Sequence, residues 1–304
     1  MSFLGQFNFG YPVISQNLIS TIPDNAVLPL SIGSSLKGNI LGTTFADLKA
    51  QIVPKFINSN ILYGENLPSI ASLNGGSNNV IIGTNIGPLS GTPQHNIIFG
   101  NGVFSYASGV YNIAIGEYAF NGSNGMGSNI GIGAGVLQSS SNVNQSIVIG
   151  DYAGAVNDGD YNIILGGSAG RILGNGSNYN IFIGRESGFA NNKNGCANNV
   201  ALGRVTLYNV TTGIKNVVLG DGAGITLTIG SGNTIIGADA GTNATNVFNS
   251  VVIGRNAQAT ADNQFVVGSS SYAAGQTTPE TIVPNTTWRV RINGVNYKIP
   301  LLAI

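Results

Sequence analysis

The ten residues "YNIAIGEYAF" at 111–120 return in nearly the same form as "YNIILGGSAG" at 161–170 and as "YNIFIGRESG" at 179–188. Each copy holds an Asn, three apolar residues and a Gly in the same order. A phrase that recurs along a chain indicates a repeat architecture, and repeats decide how every other motif is interpreted.

The repeat is counted most easily from the glycine that ends each phrase. Twelve copies follow one another at nearly regular intervals. The glycines are Gly83, Gly100, Gly116, Gly133, Gly150, Gly166, Gly184, Gly203, Gly220, Gly237, Gly254 and Gly268. Nine copies carry an Asn four positions before the glycine, and Ser146, Ser250 and Gln264 take that place in the others. The Asn residues are Asn79, Asn96, Asn112, Asn129, Asn162, Asn180, Asn199, Asn216 and Asn233.

The repeat unit predicts an all-β solenoid, or β-roll, of about twelve turns. A unit of about 17 residues is too short for helical repeats, which need roughly 33 residues or more. Triplets such as "VII", "IFI" and "VVL" favour strands. Side chains alternate between the two faces of a strand, so three apolar residues in a row require both faces to be covered. One face can fill the solenoid, and the other must pack on something else.

The glycine and the Asn each have a backbone reason to recur. A sharp corner after each strand requires a positive φ, which Gly adopts without steric cost. Stacked Asn side chains can bond to the backbone and to each other as a ladder.

The composition points to self-association. Only 8% of the 304 residues are charged and the net charge is zero, whereas a soluble monomer carries about a quarter charged residues. We therefore expect a homo-oligomer along the rod axis. Zero net charge gives no reason to expect nucleic acid as a partner. No apolar run approaches the roughly 18 residues of a membrane span, so no membrane insertion is expected.

Three regions are predicted. Residues 1–70 form an N-terminal attachment segment with one short helix at 42–54, residues 71–272 form the rod, and residues 273–304 form a C-terminal β-hairpin. The hairpin follows from alternation on both sides of Asn293-Gly294, a dipeptide typical of type I′ turns. It could cap the rod or dock on a partner, with Trp288, Arg289, Arg291 and Tyr297 as candidate tip or docking residues.

Glycine-rich and acidic motifs in the rod have structural explanations. The stretches "GIGAG" (131–135) and "GDGAG" (220–224) lack the strand–loop–helix context of dinucleotide loops and coincide with the repeat. The stretch "NDGDYN" (157–162) resembles half of a calcium loop, but no Glu follows at the required spacing. A solvated turn is favoured there.

Isolated reactive residues favour no chemistry either. The single histidine, His95, and the single cysteine, Cys196, have no partners in the sequence for a metal site or a catalytic triad, so a surface turn residue and an incidental loop thiol are expected. Four carboxylates follow corner glycines, and hydrolysis of glycans by such a set is the minority interpretation. They are Glu117, Asp151, Glu186 and Asp221. The sequence thus predicts no catalytic, cofactor or metal site.

Tyrosines precede the Asn in several copies, at Tyr111, Tyr161 and Tyr179. They are expected to shield the apolar edge between protomers. Stacking on sugar rings is the alternative.

The stretch "FNSVVIGRNAQATADNQFVVGSSS" at 248–271 resembles the head repeats of YadA-like trimeric autotransporter adhesins. The Asn-x-Ile-x-Ile-Gly copies from 77 to 247 resemble arrays in phage tail-fibre and head-fibre proteins. The resemblance covers roughly 75–271 and implies a left-handed parallel β-roll, three chains to a rod, and adhesion at a surface.

The expected function is that of a structural fibre or spike of a phage virion, exposed on the particle after synthesis in the host cytoplasm. The start "MSFLGQFNFGYPV" lacks the basic region and apolar run of a secretory signal, which favours a virion component over an exported adhesin. The expected partners are two further copies of the chain, other virion proteins at one end, and a host glycan or surface protein. A bacterial adhesin-type binding module is the alternative, and a β-solenoid glycan-degrading enzyme is less favoured.

Overall fold

A computed structural model describes residues 55–57, 59–66, 75–87, 89, 92–104, 109–189, 195–273, 286–292 and 294–301. The predicted helix at 42–54 lies outside this set. Among the described residues there is no helix, and hence none long and apolar enough to cross a membrane.

The described chain consists of short strands joined by turns. In chain order they are β1 (Lys55–Ile57), β2 (Asn60–Glu65), β3 (Val80–Thr84), β4 (Ile97–Asn101), β5 (Gly109–Val110), β6 (Ile113–Ile115), β7 (Met126–Gly127), β8 (Ile130–Ile132), β9 (Ile147–Ile149), β10 (Val156–Asn157), β11 (Ile163–Leu165), β12 (Ile172–Leu173), β13 (Ile181–Ile183), β14 (Val200–Leu202), β15 (Val217–Leu219), β16 (Thr234–Ile236), β17 (Gly241–Thr242), β18 (Val251–Ile253), β19 (Gln258–Ala259), β20 (Phe265–Val267), β21 (Thr286–Ile292) and β22 (Val295–Leu301).

Fourteen of these strands form one sheet along the rod, in the order β1-β2-β3-β4-β6-β8-β9-β11-β13-β14-β15-β16-β18-β20. From β2 onward every neighbouring pair is parallel and in register, as in Ile163 opposite Ile181. The strand of one solenoid turn thus stacks on the same strand of the next. The predicted all-β solenoid is confirmed, and all twelve predicted strands lie in this sheet.

The solenoid begins one turn earlier than the boundary placed at residue 71. Strand β2 pairs in parallel with β3, and Gly64 lies opposite Gly83. The sequence carries the signal, since "NILYG" at 60–64 repeats the Asn-to-Gly spacing. Strand β1 pairs antiparallel with β2 and is the edge strand at this end of the sheet.

The corner glycines are required by the backbone. From Gly83 to Gly254 their φ angles lie between +118° and +154°, a region that side chains rarely adopt. A Cβ placed on Gly203 would lie 2.5 Å from the carbonyl oxygen of Gly220 in the next turn. Stacking at strand spacing therefore leaves no room for any side chain at this corner.

The interior is a core in which two positions of most turns are matched in size. The middle strand residue is buried in every parallel strand except β20, where Val266 is half-buried. Its size is balanced by the residue six positions later. Small Ala114 precedes Phe120, whereas large Phe182 precedes Gly188, and both pairs are buried. A Cβ on Gly188 would lie 2.8 Å from the Phe182 ring, so in this turn one large side chain fills the space of both positions.

Strands β21 and β22 form the predicted antiparallel hairpin, with Ile292 opposite Val295. Gly294 in its turn has a φ of +78°. Trp288 and Arg289 lie opposite Ile299 and Lys298. The side chains of Trp288, Arg289, Arg291 and Tyr297 are outside the described set, so their role at a tip or docking point stays a prediction.

Candidate self-association surface

The outward face of the thirteen strands from β2 to β20 in the long sheet is apolar along its length. Each parallel strand turns its middle residue inward and the residues on either side of it outward. We call these outward residues the apolar strip. They are Ile61, Tyr63, Val80, Ile82, Ile97, Phe99, Ile113, Ile115, Ile130, Ile132, Ile147, Ile149, Ile163, Leu165, Ile181, Ile183, Val200, Leu202, Val217, Leu219, Thr234, Ile236, Val251, Ile253, Phe265 and Val267, and none of them is buried.

The strip carries no charge, and only Tyr63 and Thr234 bring a hydroxyl to it. Phe99 is 52% exposed, Ile149 38% and Phe265 73%. Thirteen strands spaced about 4.8 Å apart span roughly 58 Å, and three residues at about 3.3 Å each give a width of about 10 Å. The resulting area of roughly 600 Å² matches the largest apolar patches of ordinary monomers, about 300–600 Å².

Aromatic side chains border the strip on the side where the strands begin. Tyr111, Tyr161 and Tyr179 each stand directly before a buried ladder Asn, with φ close to +59°. Tyr161 and Tyr179 stack with ring centroids 4.8 Å apart, and His95 stacks on Tyr111 at 4.7 Å. All four side chains are exposed. Because the rings stack on one another, they extend the apolar surface beyond the strip.

The opposite border follows the corner glycines and mixes aromatic with charged residues. Tyr118 and Tyr152 lie two positions after their corner glycines and are 46% and 51% exposed. An apolar centre edged by tyrosine and by charge is the anatomy of protein–protein interfaces.

The buried Asn residues fix the register of this surface. Asn199 is typical: its Nδ2 donates to Asn180 Oδ1 at 3.1 Å and to the Gly213 carbonyl at 2.9 Å, while its Oδ1 accepts the Asn216 backbone N–H at 3.0 Å. Each of the nine predicted Asn residues is fully or almost fully buried, and Asn60 adds a tenth. The predicted ladder therefore runs through the core, one residue per turn.

Two serines continue the ladder where Asn is replaced. Ser146 donates its backbone N–H to Asn129 Oδ1, and its hydroxyl accepts the backbone N–H of Asn162 at 3.1 Å. Ser250 bridges to Gln264 in the same way. A hydroxyl thus replaces the acceptor half of the Asn side chain.

The four carboxylates considered for hydrolysis are each engaged separately. Asp221 pairs with Arg204 and Glu186 with Arg185, both at 2.9 Å. Asp151 Oδ1 accepts the Ala134 backbone N–H at 3.1 Å, and Glu117 Oε1 accepts from Asn101 Nδ2 at 3.3 Å. Three of these four contacts brace neighbouring turns at the surface, and the pair of Arg185 with Glu186 joins adjacent residues.

The other singled-out residues have structural roles. Within "NDGDYN", Asp158 and Asp160 accept backbone N–H groups of Ser141 and Asn144 at 2.8 Å. The described residues contain no group of three or more His, Cys, Asp or Glu that could hold a metal ion. In "GIGAG", Gly131 makes room for Phe120, whose ring carbon Cε1 would lie 2.1 Å from a Cβ there.

Cys196 corrects one expectation. The sequence suggested a loop thiol, but Cys196 is fully buried in the hydrophobic core. Its carbonyl accepts from Asn180 Nδ2 at 2.8 Å, so the residue belongs to a solenoid turn. The irregular spacing around it concealed this position.

The comparison with known proteins adds no relative to this picture. No protein-family model matches the sequence, and no curated protein matches it significantly.

Proposed function

We propose that this chain is a structural fibre protein that assembles as a homotrimer about its apolar strip. The observation that carries the proposal is the uncharged, exposed sheet face along the whole rod. Left in water, such a face would drive association because apolar area gains roughly 25 cal/mol per Å² when it is buried.

A second copy of the same chain fits the strip better than an unrelated partner. The partner must be apolar over the same roughly 58 Å and must match a spacing of about 4.8 Å between rows. An identical rod lying parallel meets both conditions, because each of its turns presents the same rows. The area of roughly 600 Å², enlarged by the tyrosine borders, approaches the about 800 Å² per partner of stable interfaces.

The three-fold symmetry and the virion setting rest on the resemblance to YadA-like heads and phage fibre arrays. On the basis of this resemblance, the proposed protein is a fibre or spike exposed on a phage particle. One of its ends binds other virion proteins, and its length is available to the host surface. The alternative, a bacterial adhesin-type binding module, would use the same rod. Electron microscopy of virions with the protein labelled distinguishes a virion fibre from this alternative.

Light scattering of the purified chain tests the assembly. We expect about three times the 31.1 kDa chain mass, and a band on a detergent gel that shifts to the monomer position only after boiling. A well-folded 31.1 kDa monomer in dilute solution would overturn the proposal. A stable dimer would retain the strip as the interface and overturn the three-fold symmetry.

A further inference from the structure

A groove of about 570 Å³ lies on the C-terminal half of the rod. Phe189 and Tyr208 line it together with a row of threonines, Thr211, Thr228 and Thr245. Neighbouring threonines of the row are one solenoid turn apart in the sequence, so the row follows the stacking direction of the solenoid.

The groove remains open when the apolar strip is covered. Its lining residues lie five to eight positions after their corner glycines, whereas the strip lies one and three positions before them. Measured along the chain, the two sets of positions are separated by roughly half a turn. The groove therefore faces away from the proposed interface.

The threonine row offers regularly spaced acceptors. The Thr211 hydroxyl donates to the Thr228 carbonyl, and the Thr228 hydroxyl donates to the Thr245 carbonyl, both at 3.2 Å. These bonds use the hydroxyl hydrogens and orient the oxygens, whose lone pairs can accept from a ligand. Hydroxyl groups repeat along the groove about every 4.8 Å.

The aromatic pair provides a rigid apolar wall. Phe189 and Tyr208 stack with centroids 4.9 Å apart, and the Arg171 guanidinium carbon lies 5.7 Å from the Phe189 ring centroid. Since the two rings cover one face of each other, they can present their edges and the Tyr208 hydroxyl to a ligand. Both residues are half-buried, which keeps them in place.

Among the described residues, those that line the groove are all uncharged, and this selects the ligand. An ionic ligand would lose hydration without gaining a counter-charge from these lining residues, since Arg171 stacks on Phe189 but does not itself line the groove. A purely apolar ligand would leave the groove hydroxyls without their water partners. A chain of neutral sugars supplies both hydroxyl donors and C–H surfaces. We propose that the groove binds a neutral oligosaccharide, which rests on the proposed fibre function by naming the class of surface partner.

Isothermal titration calorimetry on the full chain tests this, with maltohexaose, cellohexaose, laminarihexaose and mannohexaose as neutral probes and an alginate hexamer as the acidic probe. We expect at least one neutral hexasaccharide to bind. Thr228→Lys places a charged chain in the groove and should weaken that binding by about tenfold or more. Thr212→Lys is the matched control, since Thr212 is exposed and does not line the groove. The affinity of this variant for the oligosaccharide should stay within roughly twofold of the unmodified chain.

Three results would overturn the proposal: no heat of binding from any neutral probe, equal affinity in the two lysine variants, or preference for the acidic hexamer. Thr245→Val, which removes one hydroxyl at an exposed position, serves if Thr228→Lys does not fold, and should weaken binding by roughly threefold or more. Light scattering of every variant shows whether the oligomer is retained. The proposed oligosaccharide binding can therefore be refuted while the proposed assembly stands.

Discussion

Replacing Asn199 by Ala tests the buried ladder at a typical residue. The change removes the acceptor of the Asn216 backbone N–H and one donor to the Gly213 carbonyl, at 3.0 and 2.9 Å. The Asn216 side chain keeps its bond to the Gly230 carbonyl, so these two backbone groups bear the loss. Each buried group left unpaired costs about 1–3 kcal/mol, which gives about 2–6 kcal/mol in all.

The chain itself supplies a graded comparison. At position 146 a serine hydroxyl accepts the backbone N–H of the next ladder residue at 3.1 Å. Asn199→Ser should preserve that acceptor and lose both bonds that the amide nitrogen donates, to Asn180 Oδ1 and to the Gly213 carbonyl. Asn180 Oδ1 keeps its bond from the backbone N–H of residue 199, so only the Gly213 carbonyl is left unpaired, at about 1–3 kcal/mol. Asn246→Ala is the control, because Asn246 is exposed, and surface changes of this kind stay within about 0.5 kcal/mol.

The measurement is guanidinium unfolding followed by far-ultraviolet circular dichroism at one fixed protein concentration, since association shifts the midpoint. Hydrogen exchange of the Asn216 amide gives the local readout. The expected order of stability is wild type and Asn246→Ala, then Asn199→Ser, then Asn199→Ala. If Asn199→Ala unfolds with the control, the ladder does not stabilise the rod and the reasoning fails.

Three further predictions concern the corners, the strip and the thiol. Gly203→Ala should lower the free energy of unfolding by more than about 3 kcal/mol, because the new Cβ overlaps the Gly220 carbonyl and the backbone is strained as well. Gly195→Ala, with a φ of +77° and open space around it, should lower it by about 1 kcal/mol. Melting temperatures that fall equally in the two variants would contradict this. Ile149→Lys should lower the molar mass measured by light scattering, because Ile149 lies in the apolar strip. Ile229→Lys is the control and should leave the mass unchanged, since Ile229 is an exposed isoleucine nine positions after its corner glycine, outside the strip. Oligomers that survive both changes would exclude the strip as the interface. Cys196 should react with a thiol reagent only after denaturation, because it is fully buried, and rapid labelling of the folded protein would show that its turn opens.

Much of the fold could be predicted because the repeat constrains the backbone and the hydrogen bonds at the same time. A corner with φ above about +118° and the backbone of the next turn in contact leaves only glycine as a residue, and a buried ladder leaves little beyond Asn and Ser. These requirements act locally, so they appear as a period in the sequence. Asn60 and Gly64 satisfy the same pattern, and they extend the counted repeats by one turn.

Other features escaped because they depend on contacts between turns. The exchange of size between Ala114 and Phe120, or between Phe182 and Gly188, is visible in the sequence only once both positions are known to face one interior. The groove between Phe189 and the threonine row joins residues of successive turns that lie far apart along the chain. Cys196 looked like a loop residue because the spacing around it is irregular, and its burial depends on stacking with neighbouring turns.

Period, backbone strain and the alternation of side chains along a strand are all readable in the printed residues. They were enough to establish that the chain forms a β-solenoid, where its corners lie and that its strands carry apolar residues on both faces. The assignment of apolar residues to the core or to the strip required the folded chain. Alternation predicts two faces, but the direction of the chain at each corner determines which of them closes around the interior.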